Sequence, residues 1–521
     1  MSLKIALVTP PTKSHRTAEE TLALGYLGVI LRKAGYEVSI VDGWLEQLSA
    51  EEMVEKLAIG GFPAMIGFSC YRSNLDQACE VMNVAKKRFG NIPFICGGYG
   101  PTFHDEVFLK SGFVVAVRGE AERSIVNLVD AVLSNGDLSS IPGISFQKEH
   151  LIVRTERIEP VTDLDIIDFP ARDTIGLAIK HRNFVHMSTS RGCEANCTFC
   201  SIIAFDRSGP RKVRWRYRSI RDIIAEIEIL NQQYGIKHFK FVDDSFIEAP
   251  RDEQWAQELC DELLARNLAI RFRTQIRADR LTPNLTRLLK QAGWFSTSVG
   301  VENASRAALK RMGKSASQAQ NLAALEMLEQ NEIFVQMGMI LFDPYTTMEE
   351  LWENLTFLKA HRWPVNKGVF SEMFAAEGTT FTTTGKRRNL VIADTGNQNY
   401  TYSVQDEKSK RMYGMLKSWH RTHSVVYDQV IDPLTAPKVM SDDGYRRAHA
   451  LFHELQALDV RFFELAMEHV SRTASPSADV DILRGSIKVS TEAYLAVEKG
   501  INALYQQQGM RYDAVSNPFL A

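Results

Sequence analysis

Short apolar runs alternate with amphipathic helical segments along the first part of this chain, and this alternation restricts the fold more than any other feature. The runs of strand length are residues 4–9, 37–41, 64–69, 94–97 and 114–117. The segments between them have the apolar spacing of helices, and they are residues 20–34, 51–58, 75–89 and 124–134. This alternation of strands and helices predicts an α/β fold with a doubly wound parallel sheet that is covered on both faces. In such α/β sheets a ligand binds beyond the carboxyl ends of the strands.

A second alternating series follows in the middle of the chain. Its predicted strands are residues 185–190, 238–242, 270–274, 296–300, 335–341 and 368–374. Its predicted helices are residues 220–233, 252–266, 283–292, 317–329 and 348–360. Six such units predict a partial (β/α)6 barrel, which is smaller than the eight-unit barrel and keeps its chemistry at the carboxyl ends of the strands.

The last part of the chain loses the alternation, and residues 441–472 and 483–507 are predicted to be helical. We therefore expect a mostly helical C-terminal region that closes over the barrel mouth and shapes a substrate pocket. The predicted domain bounds are 1–150 for the doubly wound domain, 151–180 for a linker, 181–380 for the barrel and 381–521 for the helical region.

Charge excludes some partners. Lys and Arg number 61 and Asp and Glu number 63, so the net charge of −2 provides no general attraction for nucleic acid or for an anionic membrane. One local basic run stands out, and we interpret it as a solvated face: Arg207, Arg211, Lys212, Arg214, Arg216 and Arg218.

The chain begins with a short apolar strand rather than with the charged and apolar regions of a signal peptide. No apolar stretch approaches the length that spans a bilayer. Seven cysteines, three of them within eight residues, do not form the pattern of a secreted disulfide framework. These features predict a cytoplasmic protein.

Three cysteines with the spacing C-x3-C-x2-C follow the first predicted strand of the barrel, at Cys193, Cys197 and Cys200. Thiolates from one loop can ligate an iron–sulfur cluster, and three ligands leave one iron of a four-iron cluster open. An open coordination position suits a catalytic metal centre, whereas a zinc ion with three cysteines and a fourth ligand is the main alternative. The other four cysteines lie in apolar runs and are interpreted as buried hydrophobic residues: Cys70, Cys79, Cys96 and Cys260.

The cysteine loop resembles the signature of the radical S-adenosylmethionine (SAM) superfamily, C-x3-C-x-aromatic-C, with Phe199 at the aromatic position. The resemblance covers about residues 185–380. It implies a [4Fe–4S] cluster whose open iron chelates SAM and whose electron releases a 5′-deoxyadenosyl radical. It also implies an external electron donor such as flavodoxin or ferredoxin.

Later segments of the barrel are similar to the SAM-binding segments of that family. The implied SAM contacts are Phe199, Asp243, Asp244, Arg273, Arg277, Gly300, Glu302 and Gly338. The two adjacent aspartates are alternatively a helix N-cap. Glu302 is expected to bind ribose hydroxyls, or to form an ordinary ion pair with Arg273 or Arg277.

Residues 1–150 resemble the cobalamin-binding domain that precedes the barrel in one subgroup of this superfamily. The implied cobalamin contacts are Thr9, Pro10, Pro11, Ser69, Cys70, Tyr71, Arg72, Gly97, Gly98, Tyr99, Gly119 and Glu120. The motif D-x-H-x-x-G, which supplies a histidine to cobalt in other cobalamin proteins, is absent, and Asp42-Gly43-Trp44 occupies the nearest position. His15 and His104 lie in candidate ligand-facing loops, although a single loop histidine is usually solvated.

The arrangement most resembles the cobalamin-dependent radical methylases, so the expected reaction is C-methylation of an unactivated carbon in a small molecule or peptide. A radical cyclase, dehydratase or rearrangement enzyme with the same domains is the alternative. An iron–sulfur redox or binding protein without SAM cleavage is a third. The resemblance assigns no side chain as catalytic acid, base or hydrogen donor. Aromatic and histidine residues of the C-terminal region are either pocket or helix-packing residues: Tyr402, Tyr413, Trp419, His420, His423 and Tyr427.

Overall fold

A computed structural model describes residues 2–11, 20–207, 214–394, 400–435 and 438–510. The N-terminal sheet in this part of the chain contains seven strands in the order β2-β1-β3-β4-β5-β6-β7. Their bounds are β1 (Lys4–Thr9), β2 (Glu37–Asp42), β3 (Met65–Ser69), β4 (Phe94–Gly97), β5 (Val115–Val117), β6 (Ile144–Lys148) and β7 (Leu151–Arg154). The helices around it are α1 (Leu22–Lys33), α2 (Gly43–Glu46), α3 (Ala50–Ala58), α4 (Leu75–Phe89), α5 (Tyr99–Lys110) and α6 (Ile125–Ser134).

The first five strands pair in parallel, and strand order reverses at β1, which lies between β2 and β3. Successive side chains of β1 point to opposite faces, so Ile5 and Leu7 enter one apolar cluster while Ala6 and Val8 enter the other. Helices cover both faces, and the predicted doubly wound α/β class is confirmed. The point where the order reverses is where such folds bind ligands.

An antiparallel hairpin, β6 and β7, completes this sheet and was not predicted. Ser145 of β6 donates a hydrogen bond to Asp105 at 2.6 Å, and Arg154 of β7 pairs with the same carboxylate at 2.7 Å. These bonds connect the hairpin to α5. The sheet therefore continues to residue 154, beyond the predicted bound at 150, and the domain bounds stay predictions.

The central sheet has five parallel strands in the order β14-β13-β12-β11-β8. Their bounds are β8 (Val185–Met187), β11 (His238–Phe241), β12 (Arg271–Ile276), β13 (Trp294–Glu302) and β14 (Phe334–Met339). The connecting helices are α7 (Ile175–Lys180), α8 (Ser201–Arg207), α9 (Ile220–Tyr234), α10 (Glu253–Ala265), α11 (Pro283–Gln291), α12 (Arg306–Arg311), α13 (Gln318–Gln330) and α14 (Met348–Ala360). The predicted sixth strand is represented by two isolated parallel bridges, Gln336 to Val365 and Phe342 to Glu372. The partial barrel is thus confirmed, with an incomplete last strand.

The helix boundaries follow local capping chemistry. Ser49 and Glu52 form a capping box at the start of α3, and Thr347 and Glu350 form another at α14. Helix α9 ends at Gly235, whose φ of 68° is favourable because glycine has no Cβ. Such caps satisfy the amide and carbonyl groups that helix ends leave without intrahelical partners.

A short antiparallel ribbon, β9 (Ser190–Gly192) and β10 (Trp215–Tyr217), flanks the cysteine loop. The expected solvated basic face is wrong for Arg216 and Arg218, which are 2% and 4% exposed. Arg216 pairs with Glu120, and Arg218 pairs with Glu226 at 2.5 Å. Residues Arg211 and Lys212 of the same run lie outside the described residues.

The C-terminal region is mostly helical, as predicted. Its elements are α15 (Thr380–Arg387), β15 (Val391–Asp394), β16 (Tyr400–Tyr402), α16 (Glu407–Thr435), α17 (Asp442–Arg472) and α18 (Pro476–Gln507). Helix α16 was not predicted and packs against β13 and β14 of the barrel. Within the described ranges, no helix has the length and apolar character needed to cross a membrane.

Two glycines provide a test of this fold. Gly293 precedes β13 with a φ of 105°, and a Cβ there would overlap the carbonyl oxygen of Ile270. Gly293→Ala should therefore destabilise the protein by at least ~1–3 kcal/mol, seen as a lower Tm in calorimetry. Gly485→Ala is the matched control, because this exposed position in α18 has no atom within 4 Å of the added Cβ and should gain ~0.5–1 kcal/mol. Equal Tm values for the two variants would contradict this description of the turn.

Candidate functional site

The cysteine loop joins β9 to α8 at the carboxyl end of the first barrel strand. Cys193 follows β9 directly, and Cys200 immediately precedes α8. The side chains of Cys193, Cys197 and Cys200 pack into one small cluster with Ala195 and Ile203. All three cysteines are free thiols, with Cys193 buried and the other two partly exposed. The fold therefore brings the three predicted ligands to one place.

Backbone hydrogen bonds hold this loop from several sides. The Gly192 amide donates to the Asp244 carboxylate at 2.9 Å, which fixes the start of the loop. The Thr198 amide donates to the Met312 carbonyl at 2.8 Å, and the Phe381 amide donates to the Thr198 carbonyl at 2.8 Å. The loop is thus positioned by the segment after β11, by the end of α12 and by the start of α15, and not by its own turns alone.

The charges around the loop bear on whether its cysteines can bind metal as thiolates. Burial raises the pKa of Cys193 to about 12 and that of Cys200 to about 11, because a thiolate loses hydration there. Burial also raises the pKa of Cys197, while the nearby Lys314 and Arg277 act in the opposite direction. A metal centre removes the thiol protons on binding, and the two basic side chains favour the resulting negative charge.

The geometry does not resemble a single-ion site. Among the residues that the structure describes, no three His, Cys, Asp or Glu side chains converge to hold one metal ion. In an iron–sulfur cluster each cysteine binds a different iron, so the sulfur atoms need not converge on one point. The three thiolates fit a four-iron cluster that keeps one iron open.

A buried carboxylate beside the loop was missed by the sequence analysis. Glu248 is fully buried and accepts hydrogen bonds from Arg277 at 2.9 Å and from Ser245 at 3.0 Å. Arg280 forms a second ion pair with it at 2.8 Å, and the Cys193 thiol lies 3.7 Å from it. A single acid within an apolar stretch after the two aspartates is the signal that could have identified it.

The two predicted aspartates have different surroundings. Asp243 is buried and accepts hydrogen bonds from the amide and the hydroxyl of Thr189, and Arg251 lies 3.6 Å away. Asp244 instead holds the cysteine loop through Gly192. Neither aspartate caps α10, because Asp252 does so.

Three other predicted residues meet where β13 and β14 end. Gly300 and Gly338 are register partners, and a Cβ on Gly300 would overlap the carboxylate of Glu302. Glu302 has a φ of 64° and pairs with Lys314 at 3.2 Å. The expected pairing of Glu302 with Arg273 or Arg277 is therefore not observed, because Lys314 lies closer.

The two predicted arginines point to different parts of the barrel. Arg277 pairs with Glu248 and with Asp279 at 2.6 Å, next to the cysteine loop. Arg273 is buried on the inner face of the sheet, where it donates to Ser298 and Gln336 at 2.6 Å. Arg273 also donates to the Leu434 carbonyl of α16. The structure thus places only Arg277 beside the cysteines.

Phe199, the aromatic residue of the motif, packs on an apolar cluster that contains Met312, Ile340 and Met373. This apolar cluster connects the cysteine loop to the end of β14 and, through Met373, to the predicted sixth strand at residues 368–374.

A cavity of about 330 Å³ lies at the carboxyl ends of β1, β3, β4 and β5. Five predicted cobalamin contacts line it: Ser69, Gly97, Gly98, Gly119 and Glu120. Residues from the second domain line it as well: Ser188, Arg191, Phe205 and Val242. The cavity is therefore shared by the two sheets, with their strand ends facing each other.

The remaining predicted cobalamin contacts are not among the residues that line this cavity. They are Thr9, Pro10, Pro11, Cys70, Tyr71, Arg72 and Tyr99. The Thr9 hydroxyl donates to Asp42 at 2.6 Å, and the ring of Tyr71 stacks on Trp44 with centroids 5.4 Å apart. Tyr99 packs between Phe103 and Phe205. His104 belongs to α5, and His15 lies outside the described residues.

The C-terminal aromatic and histidine residues divide into two groups. Trp419 stacks on Phe462, and His423 stacks on Tyr494 with centroids 3.5 Å apart, so these residues pack helices together. In contrast, Tyr413 donates to Glu372 at 2.7 Å and accepts from the partly exposed Lys417 at 2.8 Å. Tyr413 therefore contacts the predicted sixth strand, residues 368–374, through Glu372.

Comparison with known protein families gives two matches. The radical SAM superfamily model matches residues 187–358, and the B12 binding domain model matches residues 14–129. A radical SAM domain uses a [4Fe–4S] cluster and SAM, and a B12-binding domain takes cobalamin.

Individual relatives match about two thirds of this chain. An uncharacterized methyltransferase of Pyrococcus horikoshii is 29% identical over 68% of this chain and 78% of its own length. An anaerobic magnesium-protoporphyrin IX monomethyl ester cyclase of Synechocystis is 26% identical over 71% of this chain and 78% of its own.

A solved structure of the cobalamin-dependent SAM radical enzyme OxsB is similar in fold. It superposes with a TM-score of 0.79 and 18% identity, covering 98% of this chain and 84% of that one. The cysteine loop, the paired sheets and both family matches agree. The chain therefore contains a radical SAM domain, with a B12-binding domain on the N-terminal side of its barrel.

Proposed function

We propose that this enzyme catalyses cobalamin-dependent C-methylation of an unactivated carbon in a small molecule or peptide. The observation that carries the proposal is the shared cavity, which lies between the strand ends of the B12-binding domain and those of the barrel. Cofactors bound on the two sides would face a common space, and short transfer paths lower the barrier to group transfer. The similarity to a methyltransferase supports this choice.

Cys193, Cys197 and Cys200 would hold the cluster, with Arg277 and Lys314 favouring its negative charge. Once bound, the cofactors supply one-electron cleavage of SAM and a cobalt atom able to carry a methyl group. An external protein such as flavodoxin or ferredoxin would provide the electron. The chain itself binds and orients these groups.

SAM would lie on the strand ends beside the cysteine loop. Phe199, Gly300, Glu302 and Gly338 gather there, and the absence of side chains at the two glycines leaves room for the Glu302 carboxylate between them. Asp244 and Arg277 would contact SAM or hold the loop that does. Asp243 and Arg273 would position the strands around the SAM site and would not bind SAM themselves. Their polar atoms already form hydrogen bonds with protein groups.

Cobalamin would occupy the shared cavity, contacting Ser69, Gly97, Gly98, Gly119 and Glu120. The other predicted contacts would hold the cavity-lining loops in place without lining the cavity: Thr9, Pro10, Pro11, Cys70, Tyr71, Arg72 and Tyr99. No histidine is found among the described residues that line the cavity. None of these lining residues would therefore supply an imidazole to bound cobalamin.

A radical cyclase is the second candidate, because the Synechocystis relative is named as one and covers a similar share of this chain. The same cofactor sites would serve both reactions. The two candidates differ in whether the methyl group of SAM is transferred.

Cysteine replacement tests the cluster. Cys193→Ala, Cys197→Ala and Cys200→Ala should each abolish the ~four iron and four sulfide ions per chain that anaerobic reconstitution provides, since each removes a thiolate ligand. Cys79→Ala and Cys260→Ala are controls outside the loop and should retain them. Iron and acid-labile sulfide analysis measures both. Stoichiometric zinc without iron in the unmodified protein would overturn the assignment.

Glu302 provides a test of the SAM site. Glu302→Ala should keep the cluster and weaken SAM binding by about ten- to a hundred-fold, because one charge-assisted hydrogen bond is worth ~1.5–3 kcal/mol. Isothermal titration of the cluster-loaded protein measures the Kd. Glu258→Ala, an exposed acid of α10, should bind SAM normally. Unchanged affinity in Glu302→Ala would reduce Glu302 to a partner of Lys314.

Product analysis separates the two candidate reactions. Protein loaded with iron–sulfur cluster and hydroxocobalamin, reduced anaerobically and mixed with SAM, should form about one S-adenosylhomocysteine per cobalamin, since loss of the methyl group leaves that product. Chromatography of the quenched mixture detects it, and protein without cobalamin is the control. Release of 5′-deoxyadenosine alone, unaffected by cobalamin, would contradict methylation and favour the cyclase-type reaction.

A further inference from the structure

Two arginines face each other across the ribbon that leads into the cysteine loop. Arg191 of β9 and Arg216 of β10 are register partners. Like charges placed directly opposite in an antiparallel pair destabilise it unless acids compensate them. The compensating acids come from the other domain, in the segment Gly119-Glu120-Ala121-Glu122 that follows β5.

The four side chains form one ion cluster. Arg216 donates to Glu120 through both terminal nitrogens, one at 2.9 Å, and its side chain is 1% exposed. Arg191 donates to Glu122 at 2.6 Å and lies 3.4 Å from Glu120. Glu120 thus contacts both arginines, and each acid is needed to balance the pair.

This ion cluster also borders the shared cavity. Glu120, Glu122 and Arg191 all line it, together with Tyr26, whose ring centroid is 5.2 Å from the Arg191 guanidinium. Desolvation opposes the charge of Arg191, but the adjacent Glu122 and Glu120 raise its pKa, so the guanidinium stays charged. A ligand that enters the cavity therefore meets the groups that hold the ribbon.

The ribbon leads directly into the cysteine loop, because Cys193 follows β9 two residues after Arg191. Movement of the segment 119–122 would change which acid each arginine can reach. It would then move the ribbon and the first cysteine with it.

We propose that Arg191 is a positioning residue that couples cobalamin binding in the shared cavity to the arrangement of the cysteine loop, acting through Glu120 and Glu122. This inference rests on the proposed function, because it requires cobalamin in that cavity. Coupling of two sites is reciprocal, so an assembled cluster loop also favours cobalamin binding.

The test measures this coupling directly. Cyanocobalamin is titrated by absorbance into protein with and without the reconstituted cluster, and the ratio of the two Kd values is the coupling. The unmodified protein should bind at least about five-fold more tightly with the cluster. Arg191→Lys and Glu122→Gln should bring the ratio to about one. The flexible lysine ammonium does not reproduce the fixed position of the Arg191 guanidinium between Glu120 and Glu122, and glutamine removes the charge of Glu122.

Arg32→Met is the matched control, because the Arg32–Asp173 ion pair also joins distant segments but does not line the cavity. It should keep the wild-type ratio. A second measurement needs no variant: in cluster-free protein, cyanocobalamin should slow alkylation of Cys193 by iodoacetamide by about five-fold, as read by mass spectrometry.

The possible outcomes separate a failure of the coupling from a failure of the proposed function. A ratio near one in the unmodified protein, or an unchanged ratio in Arg191→Lys, overturns the coupling and leaves the proposed function intact. Failure of cyanocobalamin to bind any form of the protein overturns both. Lower Tm with an unchanged ratio would show that the ion cluster only stabilises the domain contact.

Discussion

Burial of negative charge is the constraint on which this structure depends. Three cysteines in one loop can bind iron only as thiolates, and their burial opposes that charge. Lys314 and Arg277 lie beside the loop and offset this cost. Lys314 is paired with Glu302, and Arg277 is paired with Glu248. The end of the barrel is therefore an alternating set of charges whose members are placed by different strands.

The cysteine motif and the strand–helix alternation could be predicted because both are local in the sequence. Apolar strands such as Lys4–Thr9 and Phe94–Gly97 were located at the bounds that the structure shows. The partners of the site residues could not be predicted in the same way. Glu302 pairs with Lys314 because a left-handed turn at the end of β13 redirects its carboxylate, and nothing in the adjacent sequence specifies that turn.

Short or unusual elements were also missed for physical reasons. The ribbon β9–β10 has three residues per strand, too few for any periodic pattern, and its stability comes from acids of another domain. Arg216 of the basic run was assigned to solvent because its compensating charge, Glu120, lies far away in the chain. Helix α16 was missed because its buried face carries polar residues such as His420 and Asp428 besides apolar ones.

The cofactor sites define the class of reaction, whereas the product depends on the residues that surround the substrate. Both family matches end before residue 359, so neither covers α16 or the group formed by Glu372, Tyr413 and Lys417. Helix α16 lies against the inner face of the barrel, where its Leu434 carbonyl accepts a hydrogen bond from Arg273. A methylase and a cyclase can share the residues that bind iron, SAM and cobalamin. We propose that what separates them lies where the C-terminal helix α16 packs on β13 and β14, since neither family match covers that helix.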